Sequence, residues 1–204
     1  MKTKNVIVSA LAFALVVIIA ACSGNKKEMS QGDDKMEEAN VAAVPAANGV
    51  KPFENVDASV KTQINGFLKD YFALNQALIE DNQEGAKAAA KKLSETINKF
   101  DMSKLMGEQM DFYHTQRATL NHGLKGIGQS ADIEETRMEL ATVSDGLYAL
   151  VKAYHPNESA LYYQFCPMAK NGDGANWISG TKEIVNPYMG QRMLKCGRTK
   201  ETLN

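Results

Sequence analysis

The chain has 204 residues, 44% hydrophobic and 23% charged, with 5 prolines and a formal net charge of −1 from 23 Lys and Arg against 24 Asp and Glu. That balance excludes a disordered polyampholyte, a collagen and a polytopic membrane protein, and the length admits one ordinary domain plus a tail. The lack of any basic excess or Lys/Arg cluster argues against a dedicated nucleic-acid binder.

Residues Met1–Ala21 read as a signal peptide. Lys2 and Lys4 give a positive start, and Val6 to Ala21 is an apolar run broken only by Ser9. At 16 residues the run is shorter than the about 20 that span a bilayer. It ends in Ile19-Ala20-Ala21-Cys22, which resembles the bacterial lipobox, so the resemblance implies lipidation at Cys22 and a membrane partner reached through the lipid. The next stretch, residues 22–54, reads as a tether: Lys26 to Glu38 is charged, Val41 to Gly49 is mostly small residues around Pro45, and neither has a packing period. The expected address is exported, lipid-anchored in the periplasm, at the outer membrane or on the cell surface, where disulfides persist.

The folded part is expected over residues 55–204. Apolar residues at three- and four-residue spacing from Val56 through Val60, Ile64, Phe67, Leu68, Tyr71 and Leu74 to Leu78 predict a first helix, with Asn55 or Asp57 as its cap. A second, alanine-rich helix is predicted over Gln83–Lys99. The third is predicted to begin at Asp101 or Ser103, with Met102, Met106, Met110, Tyr113, Leu120, Leu124 and Ile127 as its stripe and Gly123, Gly126 and Gly128 loosening its end. The fourth runs from Asp132 to Tyr154, its acidic first turn matched to the helix dipole, and is stopped by His155-Pro156-Asn157. Four such helices with short connections predict an all-α fold, an up-and-down four-helix bundle.

After Pro156 the pattern changes. Leu161-Tyr162-Tyr163-Gln164-Phe165 is strand-like, Gly172, Gly174 and Gly180 punctuate the next stretch, Asn186-Pro187 signals a turn, and Met193-Leu194-Lys195-Cys196 reads as a second short strand. The expectation is a small irregular or β-hairpin lobe that brings Cys166 and Cys196 together.

Cys166 and Met168 are two residues apart, so an extended segment would present both on one side, while Met193 and Cys196, three apart, converge on a turn. Two thiols and two thioethers form a soft donor set suited to Cu(I) and poorly suited to calcium or magnesium. Trp177 offers itself as a shield for an ion or as a lid over a core. Composition and spacing alone favour a Cys166–Cys196 disulfide, which would close a loop of about 30 residues and contribute roughly 3–4 kcal/mol. A reducible bridge accommodates both readings. His122 falls on the polar face of the third helix and His114 lies off its stripe. No Ser/His/Asp set, phosphate-binding glycine loop, zinc-ligand pair or carboxylate pair stands out, so neither an enzyme nor a small-molecule substrate is expected.

Four blocks in order carry a resemblance: Phe165-Cys166-Pro167-Met168-Ala169, Gly174-Ala175-Asn176-Trp177-Ile178-Ser179, Glu183-Ile184-Val185-Asn186-Pro187-Tyr188-Met189-Gly190 and Met193-Leu194-Lys195-Cys196-Gly197. With the helices upstream, from Val56 to Glu201, they resemble an uncharacterised helical domain family. That family occurs as stand-alone lipoproteins and fused to periplasmic adaptor subunits of heavy-metal efflux pumps. Arg137 and Ser144 match an Arg and a Ser of its last helix, and His122 matches a histidine ahead of that helix. Phe165, Met189 and Arg198 depart from its pattern. The resemblance implies a copper or related metal site on Cys166, Met168, Met193 and Cys196, with His122 as a further candidate, and a heavy-metal efflux adaptor or pump as partner. The reading reached is a tethered lipoprotein that binds Cu(I) for buffering or hand-over. The alternative is a protein-binding scaffold whose two tail cysteines form a structural bridge.

Overall fold

A computed structural model describes residues 49–204. The signal peptide, Cys22 and most of the tether lie outside the described residues. Four helices dominate: α1 (Ala58–Ile79), α2 (Gln83–Asn98), α3 (Glu108–Gln129) and α4 (Ile133–Tyr154). Three strands follow, β1 (Leu161–Cys166), β2 (Ala175–Ser179) and β3 (Arg198–Leu203). Among the described residues no helix is long and apolar enough to cross a membrane.

The starts of α1, α2 and α4 are set by short acidic or amide side chains, whereas α3 starts after Gly107 without a side-chain cap. Asp57 accepts from Ser59 N at 2.8 Å, Asn82 from Gly85 N at 2.8 Å, and Asp132 from Glu135 N at 2.9 Å. The predicted stripe of α1 is buried nearly throughout, as are Ala86, Ala90, Leu93 and Ile97 of α2 and Leu140, Val143, Leu147 and Val151 of α4. Each helix packs on its neighbour in sequence while α4 also contacts α1. Val50 and Phe53, assigned by the sequence to the tether, pack against this core. Phe53 N donates to Ala153 O at 2.8 Å, and its ring meets Phe112 edge-on with centroids 5.6 Å apart.

The third helix starts later than predicted. Met102–Lys104 is a 3-10 turn capped by Asp101, Leu105 is buried, and Gly107 at φ 51° turns the chain before α3 begins. Met106 is consequently 79% exposed rather than part of a stripe. The glycines near the end of α3 do not unwind it. Gly123 instead allows close approach to α4, since a Cβ there would stand 2.8 Å from the Val143 side chain.

The tail is not a hairpin. It is a three-stranded antiparallel sheet in the order β2-β1-β3, so four helices dominate and the small β lobe expected beside them has one strand more than a hairpin. Met193–Cys196 is a turn, not a strand; the third strand starts at Arg198 and pairs with β1 through a bulge at Tyr163/Gln164. Directly opposed residues share a face of a sheet. Tyr163 and Ile178 form one such pair, and Tyr163 stacks on Tyr148 of α4 with centroids 3.7 Å apart, so this face lies on the helices. Gln164 and Trp177 form the next pair, and their face is covered by the 181–197 segment, to which Gln164 Nε2 donates at the carbonyls of Thr181, Lys182 and Glu183. Glu201 anchors β3 to α4 by accepting from Tyr148 Oη at 2.5 Å and Lys152 Nζ at 2.6 Å.

Candidate functional site

Cys166 closes β1 on the covered face of the sheet, and its Sγ lies 3.3 Å from Sγ of Cys196. Both are free thiols; Cys166 is fully buried and Cys196 is partly exposed. The neighbouring Cys166 sulfur, with some burial, pushes the Cys196 thiol above its usual range.

Cys196 is held where it is by Asn186, a fully buried amide. Its Nδ2 donates to Cys196 O at 2.6 Å, its backbone N to Leu194 O at 2.9 Å, and its Oδ1 accepts from Tyr188 N at 2.8 Å and Met189 N at 3.2 Å. One side chain thus ties both ends of the 186–196 loop together. Immediately after Cys196 the chain runs close against the Phe165 carbonyl of β1 and the Trp177 ring of β2. Gly197 makes that possible: at φ 141° its Cα is so close to the sheet that a Cβ would lie 2.8 Å from Phe165 O and 2.9 Å from the Trp177 ring. Trp177 is fully buried and meets Tyr188 edge-on, so it backs the loop that carries Cys196 instead of covering an open site.

The methionines are placed differently from the thiols. β1 ends at Cys166, so strand alternation does not extend to Met168, which lies in the following turn and is 50% exposed. Met193 is 41% exposed at the start of the turn in which Cys196 N donates to Met193 O at 3.0 Å. His122 is exposed on α3, and among the described residues no three His, Cys, Asp or Glu side chains group as metal ligands. The structure therefore joins Cys166 to Cys196 and does not bring His122 to them. His114 is also exposed, and His155 forms the left-handed C-cap of α4 at φ 46°.

Arg137 and Ser144 fasten the lobe to the helices. Arg137 is buried; it donates to Pro187 O at 3.2 Å and Leu78 O at 3.0 Å, and pairs with Asp81 and with Glu134 at 3.0 Å. Gly190, at φ 52°, lies directly against the Asp81–Arg137 pair. Ser144 Oγ is 2.7 Å from Tyr71 Oη and 3.4 Å from Tyr188 Oη, which donates to Asn176 O at 2.5 Å. Burial holds both tyrosine hydroxyls above their ordinary range, so they remain neutral hydrogen-bonding groups.

Asn186, Gly197 and Gln164 position the thiol pair, and the sequence reading missed their role. Asn186-Pro187 was legible as a turn, but the four bonds made by Asn186 depend on contacts with residues up to ten positions away.

A family described as "Protein of unknown function (DUF3347)" has a model that matches residues 67–159. The matched span runs from within α1 to just beyond α4 and includes His122, Arg137 and Ser144. It stops before β1, so Cys166, Met168, Met193 and Cys196 fall outside it. No curated protein and no solved structure matches the chain.

Proposed function

We propose that the chain is an exported lipoprotein, anchored through Cys22, whose C-terminal lobe binds a soft metal ion, Cu(I), for buffering or for hand-over to a heavy-metal efflux adaptor or pump. The role is binding, not catalysis. The helices are read as an up-and-down bundle, a reading supported by the closed ring of contacts α1–α2–α3–α4–α1. They serve as the platform on which Arg137, Ser144 and Glu201 fix the lobe.

The observation that carries the proposal is the 3.3 Å separation of the Cys166 and Cys196 sulfurs. Metal–thiolate bonds of about 2.3 Å at a tetrahedral angle put two sulfurs about 3.8 Å apart, so a shared ion requires the pair to open by only about 0.5 Å. Two thiolates with flanking thioethers favour Cu(I) over hard cations. Met168 and Met193 are exposed and unbranched, and each is close in sequence to one thiol, which leaves them free to swing toward an ion. Both thiols must lose their protons to bind, so affinity rises with pH.

Titration of reduced protein with Cu(I) against a calibrated chelator tests the assignment. A Cys166→Ser/Cys196→Ser double variant that retains the wild-type affinity would sink it. The second reading, a protein-binding scaffold with a structural bridge, is favoured by the complete burial of Cys166. Intact mass after alkylation without reductant distinguishes the two, because a standing bridge blocks both labels.

A further inference from the structure

We propose that Cys166 and Cys196 form a thiol–disulfide exchange site in which Cys196 is the sulfur first reached by an incoming disulfide and Cys166 is the resolving thiol. The exchange stands apart from metal binding; only its consequence for a bound ion rests on the function proposed above.

Access differs between the two sulfurs. Cys166 is 0% exposed beneath the 181–197 segment, whereas Cys196 reaches the surface in the turn before β3. A disulfide-bearing oxidant therefore meets Cys196 alone. The pair is also assembled without a covalent bond. Asn186 holds the Cys196 carbonyl at 2.6 Å, Arg137 holds the Pro187 carbonyl at 3.2 Å, and Gln164 holds the carbonyls of residues 181–183. A loop fixed this way does not need a bridge to keep its shape, so opening and closing the bridge leaves the lobe folded. The 3.3 Å gap is also a near-attack distance for sulfur on sulfur.

The steps balance as ordinary exchange. The Cys196 thiolate attacks a disulfide R–S–S–R; a Cys196–S–S–R bond forms, and RS⁻ leaves and takes a proton from solvent. The Cys166 sulfur then attacks Cys196 Sγ, forming Cys166–S–S–Cys196, while its proton passes to the departing sulfur, which leaves as the second RSH. The chain loses two electrons and two protons, and the oxidant becomes two thiols. A dithiol reductant reverses the sequence. The closed form has no thiolate to offer, so oxidation would release or refuse a soft metal ion.

The test uses the full chain with Cys22→Ser, so that two thiols remain, under metal-free conditions with a Cu(I) chelator present. The protein is equilibrated in glutathione and glutathione disulfide, quenched with acid and weighed intact. The expected result is direct passage from dithiol to internal disulfide with no accumulated glutathione adduct, reversible over the buffer series. Cys166→Ser, or Cys166→Ala where the serine variant loses its helical circular dichroism, accumulates the adduct at Cys196. Cys196→Ser reacts at Cys166 at least tenfold more slowly. Equal rates in the two single variants, a persistent adduct in the parent, or a bridge that excess glutathione and dithiothreitol leave intact in folded protein would each overturn the proposal. Normal exchange in a chain that takes up no Cu(I) supports it and sinks the metal assignment alone.

Discussion

Asn186 and Cys196 are joined by a 2.6 Å hydrogen bond from the amide Nδ2 to the cysteine carbonyl, and the same amide accepts from two backbone N–H groups at the other end of the loop. Truncation in Asn186→Ala leaves three backbone groups without these partners in a site that admits little water, at a cost of about 2–4 kcal/mol. Asn186→Asp keeps the acceptor, loses the donor and adds a buried charge, so it recovers little. Urea denaturation measures the loss. Alkylation of Cys196 in native conditions should accelerate in both variants, because the loop end carrying it is released. Wild-type stability and wild-type labelling in Asn186→Ala would remove the amide from this role.

Gly197 is the position at which the loop is least tolerant of a side chain. Alanine there meets Phe165 O and the Trp177 ring at under 3 Å and must also adopt φ 141°, a region closed to residues with a Cβ. Gly197→Ala should cost about 2–3 kcal/mol, in the range of strained backbone sites. It should also shift the emission of Trp177, the one tryptophan of the chain, because the ring has to move. An unchanged spectrum and midpoint would mean that the close approach is not required.

The helices were largely legible in the sequence because a core-facing stripe repeats every three or four residues and is decided locally. Val60, Ile64, Phe67, Tyr71 and Leu74 announce α1 without reference to the rest of the chain. The start of α3 is obscured in the sequence because Met102 and Met106 continue the apolar spacing up to Gly107, whose positive φ breaks the chain direction before the helix begins. β3 was illegible for a different reason. Its sequence Arg198-Thr199-Lys200-Glu201-Thr202-Leu203 shows no apolar alternation: only the last residue, Leu203, enters the core, and Glu201 turns a carboxylate to Tyr148 and Lys152 of α4. The approach of Cys166 to Cys196 was expected from the tail pattern, but the means, a buried amide and a glycine pressed against a tryptophan, arises only from tertiary contact.

Arg137 joins three parts of the chain, and its removal should loosen the lobe before the helices. Arg137→Met takes the side-chain donor from the carbonyls of Leu78, which keeps its backbone bond from Asp81 N, and Pro187, and leaves Asp81 without its cationic partner, which costs about 2–4 kcal/mol once the partial water access of Asp81 is allowed for. Arg137→Lys keeps the charge but not the planar fork that reaches both carbonyls and the carboxylate, so it should restore less than half of the loss. Limited proteolysis should cut within residues 186–197 while helical circular dichroism persists. Cleavage and helix loss in a single step would instead make the lobe and helices one cooperative unit.

Acid should release two ties between elements. Asp70 is buried on α1; that burial raises its carboxyl, but Lys92 at 2.8 Å and Thr96 at 2.6 Å on α2 outweigh it and leave the pKa below the ordinary 3.8. Glu201 behaves alike: burial raises it, and Lys152 with Tyr148 lowers it below the ordinary 4.5. A carboxyl whose folded value is depressed binds fewer protons folded than unfolded in this range. Its contribution is therefore complete above the unfolded value and is lost as pH falls through the folded one. Urea midpoints should hold steady from neutrality to about pH 5 for these two groups and then decline toward pH 3. Asp70→Asn and Glu201→Gln should each be less stable than the parent at pH 7, and the difference should shrink as pH falls below the ordinary carboxyl values. Parallel curves for variant and parent across that range would mean that neither carboxylate is differentially stabilised by folding.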